Sequence, residues 1–334
     1  MRPDVALDVR ETSHTSAGML AYVRALREWL PRVAPDLTLA EFGRGDNFDV
    51  AEQAGMPVSL LRLRPRLVHF PTPYVPRFVP VSHVVTVHDL IDLEFPDYAK
   101  SKVGPYWRRI VGPVLRSARA VITDDESTVG LLERYLRVDP ARVRVIPLGV
   151  DAPEAPAQPD PRRRPYLFYA GNHRPHKDLR TLVEAWAGLP AGLPLDLVLT
   201  GPDEASLAAT RGDAGDLVFL GDRTEAEIWA LHRGAVAYVQ PALREGFGLP
   251  ILEAMRSATP VIASEPAVPA VLRAFADMYP AGDAGALRAL ILATATAGPH
   301  ERTAAAEHVR AATAYLTWER TARATAAVYR ELLA

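Results

Sequence analysis

Two glutamates eight residues apart, Glu245 and Glu253, bracket the run Gly246-Phe247-Gly248-Leu249-Pro250. An apolar stretch ends ahead of them at Gln240, and a helical pattern continues through Ser257. Pro250 is pre-organised for the first position of a helix. Glycines before a helix start let backbone N–H groups approach an anion closely, and the helix dipole adds about half a positive charge there. The chemistry on offer is a phosphate cradle built of backbone. Carboxylates at its edge suit the paired hydroxyls of a sugar diol or a ribose. The plainer alternative is a strand–turn–helix with solvated glutamates.

Other chemistry-bearing residues stand at the ends of apolar runs. Only three of the 38 basic residues are lysines: Lys100, Lys102 and Lys177. Lys177 follows the run Tyr166–Ala170, where a cation can neutralise a departing diphosphate; a solvated surface lysine is the alternative. His88 closes the run His83–His88, with Asp89 beside it to orient the loop or the imidazole; a structural histidine is the alternative. His69 and His83 read as core or surface histidines. Asp124-Asp125-Glu126 reads as a helix cap, with a metal site as the alternative.

Positioning these groups falls to a strand–helix alternation. Short β-rich runs are predicted at Asp4–Val9, Leu37–Phe42, Leu67–Phe70, His83–His88, Ala118–Thr123 and Val143–Pro147, then at Tyr166–Ala170, Leu195–Thr200, Leu217–Leu220, Ala235–Gln240 and Pro260–Ser264. Helical patterns lie between them, among them Gly18–Leu30, Asp125–Leu136, Leu179–Ala187 and Thr224–Arg233, and the Ala-rich stretch 284–314 reads as ordinary helix. The alternation predicts an α/β protein with parallel sheets covered on both faces. Asp151–Pro165 breaks it with five prolines and three consecutive arginines, and reads as a linker. The expected organisation is a doubly wound domain over 1–150, a linker over 151–165, a second doubly wound domain over 166–315 and a terminal helix over 316–334. Ligand sites are then expected at the carboxyl ends of the strands.

Composition removes whole classes of function. The 334 residues are 49% apolar and 23% charged, which is globular and not disordered. With no cysteine, disulfides, thiolate metal sites and a cysteine nucleophile are excluded. A net charge of −2 gives no basic field for nucleic acid. No apolar run approaches the roughly 18 residues of a membrane span. Met1–Asp4 lacks the apolar core of a signal peptide, so a cytoplasmic protein is expected.

Four segments together resemble the retaining glycosyltransferases of family 4, which have the GT-B fold. Glu245-Gly246-Phe247-Gly248-Leu249-Pro250 with Glu253 resembles that family's donor loop. Gly171-Asn172-His173-Arg174-Pro175-His176-Lys177 is similar to its G-N-x-x-P-H-K run. Val85-Thr86-Val87-His88-Asp89-Leu90 is similar to its V-T-x-H-D-L segment, and Asp8–Leu26 to its opening. The likeness runs from about residue 5 to residue 333. The terminal stretch around Trp318 and Tyr329 resembles the helix that returns to the first domain. The sequence departs from the pattern at Asn172, where many members have arginine, at Asp178, and at Ala17, Ala258 and Ala270.

The resemblance implies two Rossmann-like domains facing a central cleft and transfer of a sugar from a nucleotide diphosphate sugar, GDP-mannose or a UDP-sugar, to a hydroxyl acceptor. Lys177, with Arg174, is implied to stabilise the leaving diphosphate, Glu245 to hold the sugar, and His88 to contact it from the other domain. Gly18, Asn172, Gly246, Phe247, Gly248 and Leu249 are implied at the donor phosphates, and Glu253 at the ribose. No cofactor or metal is implied, since the nucleotide-sugar is a co-substrate. The implied acceptor is a glycan, a lipid-linked or a small molecule in cell-envelope or exopolysaccharide assembly, with the loop Pro71–Pro80 and its Tyr74 as one wall. Arg24, Arg27 and Arg32 mark a face that either docks peripherally on the inner face of the plasma membrane or is simply solvated. Two other classes remain: a different GT-B enzyme, such as an epimerase or phosphorylase, and a degenerate GT-B protein acting as a non-catalytic partner subunit, to which Asn172, Ala258 and Ala270 point.

Overall fold

A computed structural model describes residues 2–12, 15–43, 46, 51–98, 102–153, 164–210 and 212–334. Most of the linker stretch, 154–163, lies outside the described residues. The chain divides into two compact units: Met1–Gly149 with Leu316–Ala334, and Val150–Tyr315.

The first unit holds β1 (Val5–Asp8), β2 (Leu39–Phe42), β3 (Leu67–Phe70), β4 (His83–Thr86), β5 (Ala120–Thr123) and β6 (Val143–Val145) in the order β2-β1-β3-β4-β5-β6. Every pairing is parallel; Val5, for instance, faces Leu39 on one side and Leu67 on the other. The central strands are rich in β-branched residues and buried on both faces, as parallel strands under helices must be. Helix α1 (Ala17–Val33) starts where the Ser16 side chain accepts the Met19 N–H, and α2 (Glu126–Leu136) where Asp125 accepts that of Ser127 at 2.9 Å. The core gathers Val68, Phe70, Val85, Val121 and Leu132 from both elements.

The second unit holds β7 (Tyr166–Tyr169), β8 (Asp196–Leu199), β9 (Leu217–Phe219), β10 (Ala237–Gln240), β11 (Val261–Ser264) and β12 (Asp277–Tyr279) in the order β12-β11-β10-β7-β8-β9, again all parallel. Its helices are α3 (Leu179–Ala187), α4 (Glu225–Gly234), α5 (Leu249–Arg256), α6 (Ala284–Thr296) and α7 (Pro299–Ala312). The chain order reverses between β7 and β10, which pair directly, so the loops that follow these two strands are neighbours. A ligand site is favoured at such a reversal.

Helix α8 (Trp318–Leu333) belongs to the first unit. Its buried face of Thr321, Ala322, Thr325 and Ala326 is small enough for close packing on α1. The chain entering it passes over Gly149, where a Cβ would fall 2.1 Å from the Thr317 backbone, so only glycine fits.

Two local readings need correction. The Ala-rich stretch 284–314 is two helices, because Gly298-Pro299 ends α6 and restarts the chain as α7. β12 lies outside the expected strands: it is three residues long at the sheet edge and presents an exposed Asp277, so no apolar run marks it.

Candidate functional site

The second unit assembles its polar cluster across the β7/β10 reversal. After β7 the loop is braced by its own polar groups. The Tyr169 hydroxyl donates to the Asn172 carbonyl at 2.7 Å, and the Gly171 N–H donates to the Thr200 hydroxyl at 3.0 Å. The Asn172 side chain accepts the Arg174 N–H at 3.2 Å, a turn-forming bond that shapes the loop. Pro175–Lys177 form one tight helical turn, and α3 follows Asp178, whose φ of +49° is left-handed. The loop after β10 is fastened to this turn, where the Leu243 N–H donates to the His176 carbonyl at 2.7 Å, and to the end of β11, where the Ser264 hydroxyl donates to the carbonyl of Ala242.

These ties put the ammonium of Lys177 on the carboxylate of Glu245. The Gln240 side-chain amide donates to the same carboxylate oxygen at 2.9 Å. The side chains of Lys177 and Glu245 are 12% and 10% exposed, screened from bulk water but reachable. Such a pair is stronger than a surface one and still open to exchange with an incoming anion. Gln240 was not singled out from sequence. Its signal is an amide at the last position of an otherwise apolar strand, where side chains turn to the carboxyl end.

The loop continues to Gly248, whose left-handed φ of +70° suits glycine, and α5 begins with Leu249-Pro250. Among the described residues, none of the N–H groups of Gly246–Leu249 donates to another group of the chain. A helix start and four N–H groups without a partner among the described residues therefore follow directly on Glu245 in the chain. Glu253 lies further along the same helix, its side chain 24% exposed. The buried Tyr238 senses both carboxylates: burial first, then the charges of Tyr169, Glu245 and Glu253, hold its phenol well above the ordinary range. Arg174 is exposed, and its side chain joins no ion pair or hydrogen bond among the described residues.

The first unit holds His88 and Gly18. Gly18 is half-buried in the first turn of α1. His88 is buried two residues beyond β4, with the Tyr22 ring of α1 edge-on to it at 5.0 Å. Both ring nitrogens are engaged. Nδ1 meets Asp124 Oδ2 at 2.6 Å, and Nε2 meets the Pro71 carbonyl at 3.1 Å. With Asp124 ionised, both partners are acceptors, and an imidazolium supplies an N–H to each. Burial pulls its pKa down, but the charge of Asp124 and the bond to it outweigh that and leave it raised. Asp89 accepts the Ile91 N–H at 3.1 Å, which shapes the loop, and its charge adds a smaller upward push on His88. The partner of His88 is Asp124, at the carboxyl end of β5, while Asp125 caps α2. Those two carboxylates thus have separate jobs, and among the described residues no cluster of three or more His, Asp or Glu is arranged for a metal.

A second buried cluster lies at the reversal between β1 and β3. Arg10 binds Asp8 through two nitrogens at 3.0 and 2.8 Å and donates to the Tyr74 carbonyl at 2.6 Å. Its NH1 lies 3.8 Å from Glu52, which accepts the Tyr106 hydroxyl at 3.1 Å. This cluster fixes the proline-rich loop Pro71–Pro80, which buries Val75 and exposes Phe78. His69 is a core histidine, bonded through Nδ1 to Tyr329 at 2.6 Å and through Nε2 to Thr86 at 2.8 Å. Arg24, Arg27 and Arg32 each pair with a carboxylate of their own, Glu11, Glu41 and Glu28, as on a solvated face. No helix among the described residues is long and apolar enough to cross a membrane.

Comparison with known proteins finds likeness to glycosyltransferases. The family model described as "Glycosyl transferases group 1" matches residues 152–279, and that of "Glycosyltransferase Family 4" matches residues 39–154. O-antigen chain mannosyltransferase B of Escherichia coli is 27% identical over 59% of this chain and 56% of that protein. A D-inositol 3-phosphate glycosyltransferase of Salinispora arenicola is 28% identical over 77% of this chain and 64% of that protein. The chain spans about half the length of the curated relatives it matches. Among solved structures, sucrose-phosphate synthase from Thermosynechococcus elongatus superposes with a TM-score of 0.73 at 21% identity, over 99% of both chains. Anabaena Alr3699/HepE in complex with UDP-glucose gives 0.72 at 16% identity, over 98% of this chain and 99% of that one.

Proposed function

Because the chain belongs to the group 1 glycosyltransferases of family 4 and has their GT-B fold, we propose that it transfers a sugar from a nucleotide diphosphate sugar to a hydroxyl acceptor with retention of configuration. The observation that carries the reading is the cluster at the β7/β10 reversal: Lys177 on Glu245, which four free backbone donors follow in the chain at the start of α5. The donor diphosphate takes the N–H groups of Gly246–Leu249 and draws Lys177 away from Glu245. Arg174, exposed and uncommitted, adds a second cation; Asn172 contributes by shaping the loop that carries it. Glu245, released from Lys177 but still held by Gln240, accepts hydroxyls of the sugar. Glu253 accepts those of the ribose.

Chemically, the bond from the anomeric carbon to the diphosphate oxygen breaks as the acceptor oxygen bonds the same face of that carbon. The acceptor proton passes to the departing phosphate oxygen. Charge builds on the diphosphate, where Lys177 and the α5 dipole stabilise it without a divalent metal. From the first unit, Gly18 and His88 are assigned to the donor on the family resemblance; the Nε2 of His88 is held by the Pro71 carbonyl at 3.1 Å. GDP-mannose is the favoured donor on the mannosyltransferase relative, and a UDP-sugar on the HepE complex. The acceptor belongs to cell-envelope glycan assembly, as the O-antigen name suggests.

The test is a thermal-shift panel of UDP, GDP, ADP, CDP and dTDP at ~1 mM, first without and then with Mg²⁺. A ligand at about a hundred times its Kd stabilises by about 2.7 kcal/mol. A metal-independent shift with one base, lost in Lys177→Ala, is the expected result. No shift with any of the five points to the partner-subunit reading.

A further inference from the structure

His232, in α4, is wholly buried, and neither ring nitrogen has a hydrogen-bond partner among the described residues. A core histidine is ordinarily satisfied, as the equally buried His69 is by Tyr329 and Thr86. The ring of His232 is instead clamped by carbon. It stands edge-on to Phe168 at 5.0 Å and 81°, and against Tyr238 at 5.0 Å and 58°. Its Nε2 lies 3.8 Å from Oε2 of Glu253, just beyond hydrogen-bond length. The two elements are tied at the backbone. The Thr259 hydroxyl, just past the end of α5, donates to the His232 carbonyl at 2.6 Å, and the Thr259 N–H donates to Ala254 at 3.0 Å. The donor's position is therefore fixed, while the partly exposed carboxylate of Glu253 is the group free to move.

We propose that His232 is a positioning residue for Glu253: its Nε2–H takes one carboxylate oxygen when a nucleotide is bound and turns the remaining lone pairs to the ribose hydroxyls. The inference rests on Glu253 being the ribose acceptor. A glutamate that must receive two hydroxyls loses side-chain freedom on binding, and a buried donor with a fixed ring plane reduces that cost. The Nε2 of His232 lacks a hydrogen bond in the free protein because the Glu253 carboxylate closes the 3.8 Å gap only when the nucleotide is bound.

The experiment compares affinities for UDP and GDP with those for their 2′-deoxy counterparts. Wild type is expected to prefer the ribose form of its nucleotide about tenfold or more. His232→Phe keeps the aromatic packing and is expected to bring the ratio toward one, as Glu253→Gln does, because affinity for the ribose form falls more than that for the 2′-deoxy form, which offers only the 3′-hydroxyl. His232→Gln keeps a donor and recovers part of the preference. A wild-type ratio in His232→Phe, alongside a lost ratio in Glu253→Gln, overturns the inference and leaves the ribose reading standing. An unchanged ratio in Glu253→Gln, or a wild type that binds neither nucleotide, overturns the ribose reading and the inference with it. Should His232→Phe not fold, the side-chain ¹⁵N signal of His232 in wild type decides. Movement on adding UDP or GDP, absent in Glu253→Gln, supports the inference, and a stationary signal overturns it.

Discussion

Each sheet carries charged side chains at the carboxyl ends of its strands, but the two sets are held differently. In the first unit Asp8 and Arg10 are 3% exposed and Glu52 is fully buried, with Tyr106 and the Tyr74 carbonyl filling further valences. In the second unit Lys177 and Glu245 are three to four times more exposed, and the N–H donors that follow Glu245 in the chain are free. A sealed network cannot trade partners without uncovering a buried charge, so it acts as a brace for the loop above it. A half-open pair can trade one anion for another. The same residue types thus serve architecture in one unit and ligand exchange in the other.

Breaking the brace should have the largest effect. Arg10→Ala strands Asp8 and Glu52 without a counter-charge, and a loss of about 3–5 kcal/mol is expected in chemical denaturation. Breaking the open pair should leave folding nearly intact and remove turnover. Glu245→Gln is expected to lower kcat on the order of 10²–10³-fold, with its Tm within a few degrees of wild type. A large stability loss in Glu245→Gln would erase the distinction between the two clusters.

The pH response sharpens the comparison. Burial, with the charge of His88 adding to it, pushes the His69 pKa down to about 3. The folded state thus refuses a proton that the unfolded chain accepts below about 6.5, so stability falls as the solution is acidified. His69 by itself should lower the unfolding free energy by about 2 kcal/mol from pH 7 to pH 5, and His69→Gln should remove that share of the slope. His88 acts oppositely. Its raised pKa contributes fully below about 6.5, and the contribution is lost as pH rises through the folded value. Removing Asp124 should abolish that alkaline loss.

The smallest effect concerns Ala258, which holds a left-handed φ of +55° where α5 ends. Ala258→Gly should relieve that strain and stabilise by about 0.5–1 kcal/mol in thermal melts, without altering nucleotide affinity. A Tm gain with unchanged nucleotide affinity would make Ala258 a turn residue and remove it from the case for a degenerate protein.

Much of this was legible in the residues themselves. Strands such as His83–Thr86 and Ala120–Thr123 announce themselves by β-branched runs, and helices by caps such as Asp125 and Thr224. Lys177, Glu245 and His88 stand out locally by residue type and a place after an apolar run, and Glu253 by its spacing from Glu245, but their roles come from the family resemblance. Partnership is not local. Lys177 and Glu245 are 68 residues apart and meet because β7 pairs with β10, an order that no periodicity along the chain records. By sequence the adjacent Asp89 is expected to orient the loop or the imidazole; it shapes the loop, while Asp124, 36 residues on, bonds the ring because β4 and β5 are neighbours. Sequence settles which faces are buried and which groups could react, since both depend on a few successive side chains. Strand order alone decides which of those groups share a proton or a charge, because those forces act only across a few ångströms.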